Sequence, residues 1–171
     1  MTDRNPPGTQ VYRVYIKATP EQVWQAITDP EWTNRYGYTG YAEYDLRPGG
    51  AYRVVPNPEY KARAEEFTGQ TLDVITDGEV IESDPPQRLV QTWRLLMDPW
   101  IMAEGHTRLT YEIQEVPGGC AVTLTHELEN APLTARLVSG TNVDPTTGGG
   151  GWPWILSDLK SLLETGSPML G

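Results

Sequence analysis

The chain has 171 residues, of which 38% are hydrophobic, and this length favours one domain over 1–171 with tails at 1–9 and 167–171. Its net charge of −10 argues against nucleic-acid binding, since no local run of lysine and arginine supplies the basic face that phosphates require. No stretch approaches the roughly 18 apolar residues of a membrane span, and neither a secretory signal nor a cysteine pair is present, so we expect a cytoplasmic protein.

The N-terminal part predicts a strand followed by two helices. Alternating apolar residues over 10–18 predict a half-buried strand. The Thr-Pro-Glu-Gln sequence at 19–22 predicts a capping box and therefore a helix start. Asp29-Pro30 repeats this pattern and predicts a second, short helix over about 31–36.

Short strands separated by glycine- and proline-rich turns are predicted over the middle of the chain. They fall at 41–46, 50–55, 70–76, 78–83, 88–96, 107–116 and 120–128. Residues 56–69 interrupt the strands as a predicted surface helix, in which Glu59 can pair with Arg63. The turn at 117–119 makes the last two strands the clearest hairpin.

The C-terminal part predicts one or two helical turns over 132–139 and a long helix over 152–165 that ends at Gly166. The long helix has one wide apolar stripe, with Asp158 on its polar side. Strands followed by a long amphipathic helix indicate an α+β architecture, in which that helix covers the apolar face of an antiparallel sheet.

Five segments, in the correct order, resemble the START-like SRPBCC superfamily of Bet v 1-like, helix-grip proteins. They lie at 18–30, 45–50, 84–93, 123–127 and 151–160, and the last four resemble the subfamily named for activators of the heat-shock-protein ATPase. The resemblance covers about residues 10–165. It implies a curved antiparallel sheet of six to seven strands, a long C-terminal helix packed on it, two short helices after the first strand, and an apolar cavity between sheet and helix.

Two segments are longer than the family pattern leads us to expect. They are the insert at 56–69 and the glycine-rich segment at 140–151. Long insertions in compact domains are often functional, so both segments are candidate lids over the cavity.

Aromatic side chains near the segments that line the family's cavity are the candidate ligand-binding residues. Tyrosine and tryptophan combine an apolar body with a polar tip, which suits a flat, mostly apolar ligand. The predicted ligand-binding residues are Trp32, Tyr36, Tyr38, Tyr52, Trp93, Trp100, Tyr111, His126, Trp152 and Leu156. The alternative is core packing in which tyrosine and tryptophan replace phenylalanine.

His126 is the one weak candidate for proton transfer, because it continues the apolar face of Val122 and Leu124. The alternative is a core histidine that is hydrogen-bonded to a neighbour. Pairing across the hairpin places His126 opposite Leu109 or Thr110, and His106 about 10 Å further along the strand, too far for a shared metal ion. The sequence therefore predicts no metal site and no cofactor, and it contains no recognised catalytic motif.

Three functions remain open. In the first, the chain binds a small apolar or aromatic molecule in the cavity as a carrier, sensor or accessory protein. In the second, it is a cyclase, aromatase or hydrolase-type enzyme that uses His126 or a tyrosine. In the third, it is a co-chaperone-like interaction module with a filled core and an exposed apolar patch. Exposed strand edges also allow a homodimer.

Overall fold

A computed structural model of the chain describes residues 8–146 and 148–170. Its seven antiparallel strands form one curved sheet in the order β1-β7-β6-β5-β4-β3-β2. The strands are β1 (Thr9–Ile16), β2 (Tyr41–Tyr44), β3 (Ala51–Val55), β4 (Thr76–Asp84), β5 (Arg88–Leu95), β6 (Thr107–Val116) and β7 (Gly119–Glu127). The helices are α1 (Pro20–Thr28), α2 (Pro30–Thr33), α3 (Pro58–Thr68), α4 (Pro99–Met102), α5 (Pro132–Ser139) and α6 (Gly151–Thr165).

The first helices begin where the capping pattern predicts. Thr19 accepts the backbone N–H of Gln22, and the Gln22 side chain accepts the N–H of Thr19, so the capping box is present. The second helix is shorter than predicted. The side chain of Thr33 bonds the backbone of Gly40 and Ala42, which turns the chain back towards β2 immediately after α2.

The predicted pair of strands at 70–76 and 78–83 is wrong. The structure has a single strand, β4, that begins at Thr76, and residues 70–75 form no strand. Gly78 lies within β4, where a Cβ atom would come 2.0 Å from the Thr92 carbonyl oxygen of the neighbouring strand. The glycine therefore permits a close approach between strands and does not mark a turn.

Helix α4 was not predicted from the sequence, and the other elements follow the predictions closely. The β6–β7 hairpin pairs Leu109 with His126, and α6 ends at Gly166 in the left-handed conformation. The insert forms α3, in which Glu59 and Arg63 pair and no residue is buried. In the segment 140–151, of which Thr147 lies outside the described residues, Gly148 packs against the Trp154 ring.

Helix α6 packs on the inner face of the sheet, and its residue Asp158 departs from the prediction. The apolar stripe predicts Asp158 on the polar side of the helix, but in the structure Asp158 is buried. Its two carboxylate oxygens accept the backbone N–H groups of Gly37 and Met169, at 2.6 Å each. The loop after α2 and the C-terminal segment are thereby tied to α6. The predicted tail residues 1–7 and 171 lie outside the described part of the chain.

Candidate functional site

Four tyrosines meet in the interior between the sheet and α6. Tyr44 and Tyr52 face each other on the paired strands β2 and β3, with ring centroids 4.6 Å apart. Tyr111 comes from the inner face of β6, and Tyr36 from the turn after α2. Tyr44 and Tyr111 pack against both hydrophobic clusters of the core. We call these four residues the tyrosine cluster.

Three of the four phenol groups have protein partners. Tyr36 Oη donates to the Ala26 carbonyl at 2.9 Å, and Tyr44 Oη donates to Oε1 of the fully buried Gln91 at 2.6 Å. Tyr52 Oη lies 3.2 Å from Thr76 Oγ1.

Tyr111 is the exception in the tyrosine cluster. In the described part of the chain no group hydrogen-bonds Tyr111 Oη. This oxygen is not one of the fully buried polar atoms without a partner, so it retains some accessible surface. The Tyr111 side chain is partly buried, and its ring meets the Trp152 ring of α6 edge-on, with centroids 6.5 Å apart. Its hydroxyl is therefore free to donate and to accept.

The environment keeps these phenols neutral. Burial raises the pKa of Tyr111 well above its ordinary value, and the neighbouring Tyr52 and Tyr36 raise it further. Burial, followed by Tyr52, Tyr111 and Tyr36, raises the pKa of Tyr44 in the same way. Burial also raises the pKa of Tyr52, although hydrogen bonding from its neighbours opposes the shift. At neutral pH the cluster offers O–H groups and no phenolate base.

His126 lies beside the tyrosine cluster, within an aromatic group made with Trp93 and Trp152. Its ring centroid is 5.3 Å from that of Trp93 and 5.9 Å from that of Trp152. Trp152 Nε1 donates to His126 Nδ1 at 3.0 Å, and His126 Nε2 lies 2.7 Å from Thr107 Oγ1. The Thr107 hydroxyl donates in turn to the Trp93 carbonyl at 2.9 Å.

These hydrogen bonds show which nitrogen of His126 carries the proton. Nδ1 receives the indole N–H, so the neutral ring carries its proton on Nε2 and donates it to Thr107. Burial lowers the pKa of His126 to about 3, so the ring is neutral at physiological pH. Both nitrogens are thus engaged by protein groups, which is the arrangement of a hydrogen-bonded core histidine.

The structure brings most of the predicted ligand-binding residues together. Those in or beside the interior are Tyr36, Tyr52, Trp93, Tyr111, His126, Trp152 and Leu156. Trp100 is 77% exposed on α4, and Tyr38 is exposed, with its oxygen accepting the Gly151 N–H at 3.0 Å. Trp32 packs beside the first core cluster, with the Arg35 guanidinium 4.6 Å above its ring.

Two residues of the interior were missed by the sequence analysis, Tyr44 and Gln91. Strand alternation could have identified both, because Gln91 lies between the inward-facing Leu89 and Trp93, and Tyr44 lies opposite Tyr52.

The residues that could hold a metal ion are dispersed. Within the described ranges, no three His, Cys, Asp or Glu side chains are close enough to bind one. His106 lies at the surface, with Nε2 3.1 Å from Asp77 Oδ1.

A curved antiparallel sheet with a long C-terminal helix on its inner face is the Bet v 1-like, helix-grip fold. A family model described as "Activator of Hsp90 ATPase homolog 1-like protein" matches residues 17–164. The chain belongs to this family, within the START-like SRPBCC group. This membership supports a ligand-binding or accessory role in general terms.

Solved structures with the same fold share little sequence with this chain. Protein MLL2253 from Mesorhizobium loti is 19% identical, with 91% of this chain and 96% of that chain covered and a TM-score of 0.64. The Aha1 dimer from Colwellia psychrerythraea is 20% identical, with 92% and 97% covered and a TM-score of 0.60. DynU16, from the dynemicin biosynthetic locus, is 18% identical, with 95% and 49% covered and a TM-score of 0.62. No curated protein matches the chain. Across the described residues, no helix is long and apolar enough to cross a membrane.

Proposed function

We propose that the chain binds one small apolar or aromatic molecule between the sheet and α6, as a carrier, sensor or accessory protein. The observation that carries the proposal is the Tyr111 hydroxyl. Buried tyrosine hydroxyls usually have a hydrogen-bond partner, and the other three members of the tyrosine cluster do. A ligand atom that hydrogen-bonds Tyr111 Oη would give the fourth hydroxyl of the tyrosine cluster its partner.

The exposed fractions of the side chains along β6 support the presence of space beside Tyr111. Leu109 and Ile113 lie two residues before and after it on the same face, and they are 1% and 4% exposed. Tyr111 is less buried than either, although β5 and β7 flank its strand on both sides. Its remaining accessible surface therefore does not come from a sheet edge, and its ring contacts Trp152 of α6.

The chemistry of the surrounding groups favours a neutral ligand. The phenols of the tyrosine cluster and the His126 ring are uncharged at neutral pH, so they offer no fixed charge to an ionic ligand. The aromatic rings of Trp93, Trp152 and Tyr111 suit a flat molecule. We expect an aromatic or alicyclic compound with one hydrogen-bonding oxygen or nitrogen placed against Tyr111.

Binding has more support than acid–base catalysis at this site. A general acid or base works best with a pKa near the operating pH. The pKa of His126 is far below neutrality, those of the tyrosines are raised, and both His126 nitrogens are already bonded to the protein.

A thermal-shift screen against neutral aromatic and apolar compounds tests the proposal. A compound at 100 times its dissociation constant adds about 2.7 kcal/mol to stability, which raises Tm by about 5–10 °C for a chain of this size. We expect related compounds to give such shifts, and the shifts to shrink in Tyr111→Phe. The control is Tyr15→Phe, whose side chain is exposed. No shift with any compound, or equal shifts in Tyr111→Phe, would contradict the proposal.

A further inference from the structure

A second feature lies on the outside of the molecule, on α4, α5 and the segments 140–144 and 148–150. Trp100, Leu133 and Leu137 are exposed there, and they line a cleft of about 620 Å³ together with Ile101. Single exposed apolar residues are ordinary, whereas several that line one cleft mark an interaction site. We call this surface the α4–α5 patch.

We propose that a second copy of the chain docks on the α4–α5 patch, in a two-fold dimer in which each Trp100 enters the partner's cleft. A two-fold interface uses the same surface on both subunits, so this surface must carry both the projection and the recess. The α4–α5 patch has both, since the Trp100 side chain is 77% exposed beside the cleft that it helps to line. Exposed tryptophans that become buried often dominate the energy of such interfaces.

Charges of both signs line the cleft, namely those of Arg136, Asp98 and Asp144. In the part of the chain that the structure describes, Arg136 is exposed and forms no ion pair. A two-fold axis through the cleft can place each Arg136 against the partner's Asp98. A second copy uses the projecting Trp100, the cleft and both signs of charge at the same time, which favours it over a partner of different sequence.

The net charge predicts how the dimer responds to salt. Each copy carries a charge of −10, so two copies repel each other at long range. Salt screens this repulsion over a Debye length of about 10 Å at 0.1 M, while the apolar contact around Trp100 is not weakened by it. Salt also screens the Arg136–Asp98 pairs, but exposed ion pairs contribute little to stability. We therefore expect association to strengthen as salt is raised.

Sedimentation equilibrium over a wide range of protein concentration tests the proposal. We expect a concentration-dependent dimer, a dissociation constant that falls as salt rises, and at least about a 30-fold increase of that constant in Trp100→Ala. Arg136→Glu should also weaken the dimer. Phe67→Ala is the matched control, because Phe67 is 94% exposed on α3 and does not line the cleft. The exposed positions of Trp100 and Phe67 leave the fold intact in both variants, which circular dichroism checks.

Three results would overturn the proposal. The first is a wild-type chain that stays monomeric at every concentration and salt level. The second is a dimer that Trp100→Ala does not weaken, since the contact would then lie elsewhere, for instance at the strand edges. The third is a monomer whose cleft binds an apolar dye in a manner that depends on Trp100, which would assign the patch to a small molecule.

Discussion

Mild acid should destabilise the protein through His126. The folded structure holds this ring neutral, because Nδ1 accepts the indole N–H of Trp152. A proton added to Nδ1 would point at that N–H group and would find no hydrogen-bond acceptor. In the unfolded chain the ring is free to take up a proton near its ordinary pKa of 6.5. Below that pH the unfolded state binds more protons than the folded state, and the free energy of unfolding falls.

The size of the effect follows from the pKa difference. The folded pKa of His126 is about 3, so between this value and 6.5 each pH unit lowers the free energy of unfolding by about 1.4 kcal/mol. The loss between about pH 7 and about pH 4.5 is then roughly 2–3 kcal/mol. Carboxylates whose pKa is lowered by folding, such as Asp77 and Glu164, add to the loss at the acid end of this window, as the unfolded chain takes up protons on them. A variant that lacks only the His126 ring shares that part of the loss, so a comparison with it isolates His126.

Urea unfolding followed by tryptophan fluorescence at several pH values across this window measures the loss. His126→Gln is the comparison, because glutamine can accept from Trp152 and donate to Thr107 without titrating. We expect the wild type to lose roughly 2–3 kcal/mol more than His126→Gln as the pH falls. Parallel profiles for the two proteins would refute the assignment of a neutral, fully bonded His126.

Three further substitutions test the packing and the hydrogen bonds. Gly78→Ala should lower Tm by several degrees, because overpacking costs about 1–3 kcal/mol, whereas Gly149→Ala, with open space around it, should change Tm little; equal Tm values would refute the close approach at Gly78. Tyr44→Phe should cost about 1–3 kcal/mol in urea unfolding, since it leaves the buried Gln91 oxygen without its donor; an unchanged midpoint would contradict this. Glu104→Ala should cost about 1–2 kcal/mol and speed amide exchange in the first turn of α5, whose N–H groups Glu104 accepts; unchanged exchange there would show that the carboxylate does not cap the helix.

The parts of the fold that depend on neighbouring residues could be predicted from the sequence. The capping box at Thr19 joins residues three positions apart, and the tight β6–β7 turn sets the pairing of Leu109 with His126. Gly78 could not be interpreted in this way. A glycine in a turn and a glycine under a neighbouring strand look alike in sequence, and only the position of Thr92 distinguishes them.

The same limit applies to the site. Strand alternation placed Tyr111 and Trp93 on the inner face, but it could not show which hydroxyl lacks a partner, because Tyr44 and its acceptor Gln91 are 47 positions apart. The exposure of Trp100 depends on the direction in which the short helix α4 packs, which a four-residue pattern does not reveal. The burial of Asp158 depends on a loop and a C-terminal segment that are distant in sequence.

The central claim is that the Tyr111 hydroxyl serves a ligand and not the fold. Calorimetric titration of the compound with the largest thermal shift into wild type and Tyr111→Phe, together with urea unfolding of both proteins without ligand, tests this claim most directly. We expect the dissociation constant to rise about 2–12-fold in Tyr111→Phe, the loss of one neutral hydrogen bond, while stability without ligand changes by less than about 0.5 kcal/mol. An unchanged dissociation constant, together with a loss of stability like that of Tyr44→Phe, would contradict the claim.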